Sequence, residues 1–339
     1  MQQIRRPVSI LTGFLGAGKT TVLNRLLKLP AFSNTLVIVN EFGETPLDHL
    51  LVENSSDTVL ELSNGCVCCA VRGELVDTLI DVEEKLFARI IIETTGIANP
   101  LPILQSIAGH PVLSERYVCG QTITLFDVLR GLELVEAHEE AKAQIALADC
   151  IILNKINLLD TGNRDATIAS ATPALSDINP AATILSEHDL SAINPEILGT
   201  GFQIGSRISN RNTQHAGQYR STTLEFEGAI TANILLPFVE ALSNKFPQGL
   251  LRLKGLVHMA EHPDQPLVLQ MSGKILHNPD RLPSWPYKKP VTRLVAITKN
   301  IAPIEIEKLF NSHFGVSATD TPDREAILDN PLSVPGMKF

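Results

Sequence analysis

The chain has 339 residues, about twice a usual domain length, so two folded units are expected. Its 28 Lys and Arg against 37 Asp and Glu give a net charge of −9, which excludes a protein that grips nucleic-acid phosphates with a basic face but not one that cradles a single nucleotide. A 44% hydrophobic share excludes global disorder, and five cysteines are too few for a disulfide scaffold.

In chain order, near-continuous apolar runs at 8–11, 35–39, 59–62, 89–92, 121–126 and 150–153 read as strands covered on both faces. Helical stretches lie between them at 19–29, 74–87, 101–108 and 136–148. This alternation predicts a doubly wound, mostly parallel α/β sheet across residues 1–202. A Gly-, Ser- and Asn-rich stretch reads as a linker over 203–219. Strands at 222–226, 250–258, 266–271 and 291–297, with helices at 232–245 and 303–313, then predict a smaller α+β domain with an antiparallel sheet over 220–316. The Asp-, Pro- and Ser-rich tail, 317–339, is expected to be loosely held. No cleavable leader and no run of about 18 apolar residues stands out, so the cytosol is the expected compartment, with no membrane partner.

Gly13-Phe-Leu-Gly-Ala-Gly-Lys-Thr-Thr21 fits the P-loop pattern between the first strand and the first helix. Gly13, Gly16, Ala17 and Gly18 would wrap backbone N–H groups around a phosphate at the helix N-terminus, where Thr21 also lies. Lys19 would bridge the β- and γ-phosphates, and Thr20 would hold Mg²⁺. Glu93, leaving the strand of Ile90, Ile91 and Ile92, is the matching carboxylate for Mg²⁺-bound water, and Gly96 would offer an N–H to a γ-phosphate. These features define the first domain as a P-loop NTPase.

Asn154-Lys155-Ile156-Asn157 is similar to the guanine-reading Asn-Lys-x-Asp signature, with Asn in the last place. Aspartate would accept from guanine N1–H and N2–H₂, whereas Asn157 offers one acceptor and one NH₂ donor. A mispaired buried edge costs about 1–3 kcal/mol, so GTP is the expected ligand with a weakened preference over xanthosine triphosphate.

Cys66, Cys68 and Cys69 stand together in a tight turn after the 59–62 strand. Three thiolates there suit a soft or borderline ion such as Zn²⁺ or Cu(I), with the fourth position either supplied from elsewhere in the chain or left open for exchange. Buried small hydrophobes or redox sensing are the alternative readings.

These motifs, with Val39-Asn-Glu41-Phe-Gly-Glu44, Glu93-Thr-Thr-Gly-Ile-Ala-Asn-Pro100 and the later Gly249-Leu-Leu-Arg-Leu-Lys-Gly255, resemble in content and order the CobW-like GTPases, a metallochaperone group. The resemblance reaches to about residue 315. It implies GTP hydrolysis coupled to handling of Zn²⁺ (or Co²⁺), delivery to a client metalloprotein, and a nucleotide- or metal-dependent homodimer. It places Cys66, Cys68 and Cys69 in the metal motif, and Glu41 and Asp48 in the first switch segment. Lys19, Glu41 and Glu93 are the expected catalytic set. The sequence departs from the group at Thr45-Pro46-Leu47, where Pro46 stiffens the switch, and at Asn157.

His49 beside Asp48 is an auxiliary metal-ligand candidate, while His258 and His262 read as ordinary solvated histidines. Cys119 and Cys150 read as core, and Asp127 as a turn cap. Two rival functions stand beside GTP-gated metal transfer. A small-molecule P-loop kinase fits the cysteine turn and the Asn-Lys pair poorly. A non-enzymatic metal buffer with a decayed nucleotide site is motivated by Pro46 and Asn157.

Overall fold

A computed structural model describes residues 5–39, 59–61, 70–82, 87–190 and 218–315. The first unit runs β1 (Arg6–Gly13), α1 (Lys19–Leu27), β2 (Thr35–Val39), β3 (Val59–Glu61), α2 (Ala70–Asp81), β4 (Arg89–Glu93), α3 (Leu101–Gly109), α4 (Pro111–Arg116), β5 (Tyr117–Asp127), α5 (Gly131–Ala137), α6 (Glu139–Leu147), β6 (Cys150–Asn154), α7 (Arg164–Ile178) and β7 (Thr183–Ser186). Seven strands form one sheet in the order β3-β2-β4-β1-β5-β6-β7, every pair parallel. Helices cover both faces. Val22, Leu23 and Leu26 of α1 pack on one, and Leu75, Leu79, Leu104 and Ile107 of α2 and α3 on the other. Strands buried on both sides are why the sequence shows unbroken apolar runs. Because β1 sits between β4 and β5, a crevice opens at the carboxyl ends of these strands, where doubly wound sheets bind ligands.

The structure departs from the expected elements in several places. The single helix expected at 136–148 is two, because His138 is extended (φ −126°, ψ 123°) and stacks on Phe14 with ring centroids 4.6 Å apart. The strand expected at 121–126 spans 11 residues, since its first part pairs with Arg6, Pro7 and Val8 of β1 and buried Tyr117 donates its hydroxyl to Leu79 O at 2.8 Å. Helix α7 and strand β7 were not expected. Ser, Thr and Ala blur the apolar period of α7, which also holds Pro173 inside.

The second unit runs β8 (Tyr219–Phe226), α8 (Ala232–Lys245), β9 (Leu250–Val257), β10 (Leu267–Ser272), β11 (Ile275–Leu276), β12 (Asp280–Arg281), β13 (Thr292–Lys299) and α9 (Pro303–Phe314). Its antiparallel sheet has the order β11-β10-β9-β13-β8, with β12 on β10. Phe238, Phe310 and Phe314 cluster between α8 and α9, with centroids 4.0–5.5 Å apart. Residues of the same sheet, Tyr219, Leu251, Val295 and Ile297, pack on Ala143, Ala146 and Leu147 of α6. Among the described residues, no helix is long and apolar enough to cross a membrane.

Candidate nucleotide site

The crevice is assembled from the carboxyl ends of β1, β4, β5 and β6. Gly13 ends β1 with φ 147°, and a Cβ there would lie 2.7 Å from Leu125 O of β5. Gly16 (φ 77°) and Gly18 (φ 88°) are left-handed, a conformation that curls the loop so that its N–H groups face one point. The loop delivers the chain into α1, whose first-turn N–H groups add the favourable end of the helix dipole. Lys19 Nζ donates to Gly13 O at 3.1 Å, so the ammonium lies across the mouth of the loop. Ala17 is buried beneath it and Thr21 is exposed.

Glu93 is 5% exposed, and Thr20 Oγ1 donates to its Oε1 at 2.9 Å. The register Leu11↔Glu93 places them, with Thr94 N donating to Leu11 O at 3.0 Å and Thr94 Oγ1 to Thr12 Oγ1 at 2.8 Å. Thr95 Oγ1 is buried with no hydrogen-bond partner among the described residues. Hydroxyl and carboxylate oxygens beside a curled glycine loop form a hard-donor set that fits Mg²⁺ and phosphate.

Gly96 lies against the P-loop so closely that a Cβ would come within 2.7 Å of Leu15 N and Cα. Gln144 of α6, 1% exposed, donates its amide to Gly96 O at 3.1 Å and Ala98 O at 3.0 Å. Gln144 is not among the site residues expected from the sequence. Its signal is a long polar side chain among Ala141, Ile145 and Ala148 on a buried helix.

Asn154, 5% exposed, donates Nδ2 to Ala17 O at 2.7 Å and leaves no room for a Cβ on Gly18, which would lie 2.6 Å away. This residue therefore braces the P-loop. Lys155 is left-handed (φ 65°) and pairs with Asp127 at 2.8 Å. Asp127 accepts Leu129 N at 2.9 Å, the turn cap expected of it, and holds Lys155 as well. Asn157 is exposed, next to a cleft of about 440 Å³ lined by Leu129, Leu158, Asp160 and Asn163.

Glu41, Asp48, His49, Cys66, Cys68 and Cys69 lie outside the described residues. The chain enters the first of these segments from Val39, the register partner of Glu93. Cys119 and Cys150 are core residues, burial pushing both thiols up to about 12. His262 is exposed as expected, whereas His258 is half-buried edge-on to Trp285 at 5.6 Å. Among the described residues no group of three or more His, Cys, Asp or Glu is placed to hold a metal ion.

The sequence profile of the CobW/HypB/UreG nucleotide-binding domain matches residues 7–186. The chain belongs to this family. The CobW C-terminal domain matches residues 219–313. A relative from Escherichia coli K12, the zinc chaperone YjiA, is 29% identical over 316 residues, covering 89% of this chain and 97% of its own. The zinc chaperone CobW of a Sinorhizobium species is 28% identical over 336 residues, covering 86% of this chain and 92% of its own. The crystal structure of Zn(II)-bound YjiA GTPase from E. coli shares the fold, with a TM-score of 0.65 at 24% identity over 91% of this chain and 99% of that one.

Proposed function

We propose that this CobW-family protein is a GTP-hydrolysing zinc chaperone. The observation that carries this reading is the Thr20–Glu93 contact of 2.9 Å beneath a P-loop that Asn154 braces from behind. The likeness to relatives named zinc chaperones supports the metal half.

In this reading the loop N–H groups of residues 13–18 and Lys19 bind the β- and γ-phosphates. Thr20 and Glu93 hold the Mg²⁺ site, and the ion when bound neutralises charge gathering between the phosphates. Gly96 N–H meets the γ-phosphate, with its loop fixed by Gln144, and the stem of Lys155 packs over the base. Zn²⁺, or Co²⁺ in its place, is cargo held by Cys66, Cys68 and Cys69. The segment of Glu41 and Asp48 follows β2 in the chain and reports the nucleotide state to these cysteines. Hydrolysis then releases the ion to a client metalloprotein docked partly on the second unit, and Glu41 activates water.

Phosphate release from GTP with Mg²⁺ tests the enzymatic half. Lys19→Ala is expected to abolish turnover and Glu41→Ala to remove it with GTP affinity retained. Undetectable turnover in the wild-type protein, with tight zinc binding intact, would favour a metal buffer instead.

A further inference from the structure

Asn157 stands where a guanine-reading loop has aspartate, and a carboxylate lies beside it in space though 30 positions away in the chain. Strand β7 runs parallel to β6 with Leu153 opposite Ser186, so the residue after β7 emerges next to the Asn154–Asn157 loop. That residue is Glu187. Its N–H donates to Leu153 O at 2.9 Å, and its Oε1 accepts Asn157 N–H at 3.3 Å.

Glu187 is 6% exposed, which is unusual for a glutamate just past a strand end. Arg25 of α1, the helix that begins at the P-loop, clamps it. Nη2 donates to Glu187 O at 2.8 Å, and Nη1 lies 3.4 Å from Oε2. A carboxylate offers about four acceptor positions, and these two side-chain contacts leave others open.

We propose that Glu187 supplies the carboxylate that position 157 lacks, making it a specificity-determining residue for purines bearing a 2-amino group. Guanine N2–H₂ donates to Glu187, N1–H donates to Asn157 Oδ1, and Arg25 is the positioning residue. The inference rests on the GTP reading above and answers the question Asn157 raises. The site selects GTP over xanthosine triphosphate, whose 2-oxo group would face a carboxylate, and over inosine triphosphate, which has no 2-substituent.

Competition of GTP, inosine triphosphate and xanthosine triphosphate against a fluorescent GTP analogue, on the full chain with Mg²⁺, tests this. Loss of a hydrogen bond to a charged acceptor predicts a GTP-over-inosine preference of at least about tenfold in the wild-type protein. In Glu187→Gln that ratio is expected to fall to within about threefold. Asn157→Asp added to Glu187→Gln is expected to restore it. A ratio unchanged in Glu187→Gln, a wild-type preference for xanthosine triphosphate, or a double variant as indiscriminate as the single one would each overturn the proposal. Failure of the wild-type protein to bind either GTP or inosine triphosphate would instead overturn the GTP reading itself.

Discussion

Arg252 of β9 reaches out of the second unit and places Nη2 2.9 and 2.8 Å from the two carboxylate oxygens of Asp149, just ahead of β6 in the first unit. Its Nη1 donates to Leu147 O at the end of α6, Lys254 adds Nζ at 2.5 Å from Asp149 Oδ1, and Thr122 N–H donates to Asp149 Oδ2 at 2.9 Å. Burial alone would push the Asp149 carboxyl up, but the Arg252 and Lys254 charges and these hydrogen bonds outweigh it and hold it below the usual carboxylate range. The cluster locks the second sheet to the strand whose far end carries Asn154 and Lys155.

Removing Arg252 leaves the buried Asp149 carboxylate with Lys254 as its remaining cation among the described residues and takes the Arg252 donor from Leu147 O, at a cost of about 1–3 kcal/mol. Arg252→Ala is therefore expected to lower the urea midpoint of unfolding sharply. Arg252→Lys is expected to recover only part of it, because a single ammonium nitrogen cannot replace Nη2 on Asp149 and Nη1 on Leu147 O together. Equal stability of wild-type and Arg252→Ala proteins in urea titrations would show that the clamp is not part of the stable fold.

Gln144 ties α6 to the loop after Glu93. Gln144→Leu keeps the helix and its volume but leaves the Gly96 and Ala98 carbonyls without their donor, and Gly96→Ala drives a Cβ into Leu15. Both are expected to lower kcat for GTP by at least about tenfold while GDP affinity changes far less, because GDP has no γ-phosphate to meet Gly96. Steady-state kinetics beside GDP titration separates the two effects; an equal loss of both would make Gln144 a general packing residue.

His277 gives the second unit an acid-sensitive point. Burial, reinforced by the Arg252 and Lys254 charges, pushes its imidazole down to about 3, and its Nε2 lies 2.9 Å from Ser272 Oγ. The unfolded chain protonates this residue near 6.5, so between pH 6.5 and 3 the unfolded state binds the extra proton. Its contribution is complete above pH 6.5 and is lost as pH falls, by about 2 kcal/mol at pH 5. His277→Gln is expected to flatten that part of the stability curve, read as urea midpoints at pH 7, 6 and 5. An unchanged slope would place the acid sensitivity elsewhere.

The first unit was largely legible because its sheet is covered on both sides. Strands such as Ile90, Ile91 and Ile92 are apolar without interruption, and the P-loop carries its geometry in its glycines. The antiparallel second sheet was readable from strands that follow one another across short polar turns. Contacts between distant segments were not. Arg252 and Lys254 alternate with leucines in β9 and look like an outward polar face, and only the packing of that face on α6 buries Arg252 and half-buries Lys254. Glu187 follows a strand of four half-buried residues too short to stand out, and Gln144 differs from its helical neighbours by one polar group. The break at His138 has no glycine or proline to announce it, and the stack on Phe14 sets it.

The Cys66, Cys68 and Cys69 motif is expected to carry the metal and not the nucleotide. Replacing Cys66, Cys68 and Cys69 together by serine removes thiolate, the favoured soft ligand, and is expected to weaken Zn²⁺ binding by at least about a hundredfold while leaving GTP affinity in metal-free buffer near wild type. Competition against a zinc chelator and a parallel GTP titration check both halves.

Coupling between nucleotide and metal is the central claim, and linkage makes it reciprocal. The most direct measurement is calorimetric titration of Zn²⁺ into the full chain with and without a non-hydrolysable GTP analogue and Mg²⁺, paired with titration of the analogue with and without Zn²⁺. The account predicts that each ligand changes the affinity of the other by the same factor, and that the factor vanishes when the three cysteines are replaced by serine. Zinc affinity that is identical with and without the nucleotide would contradict it.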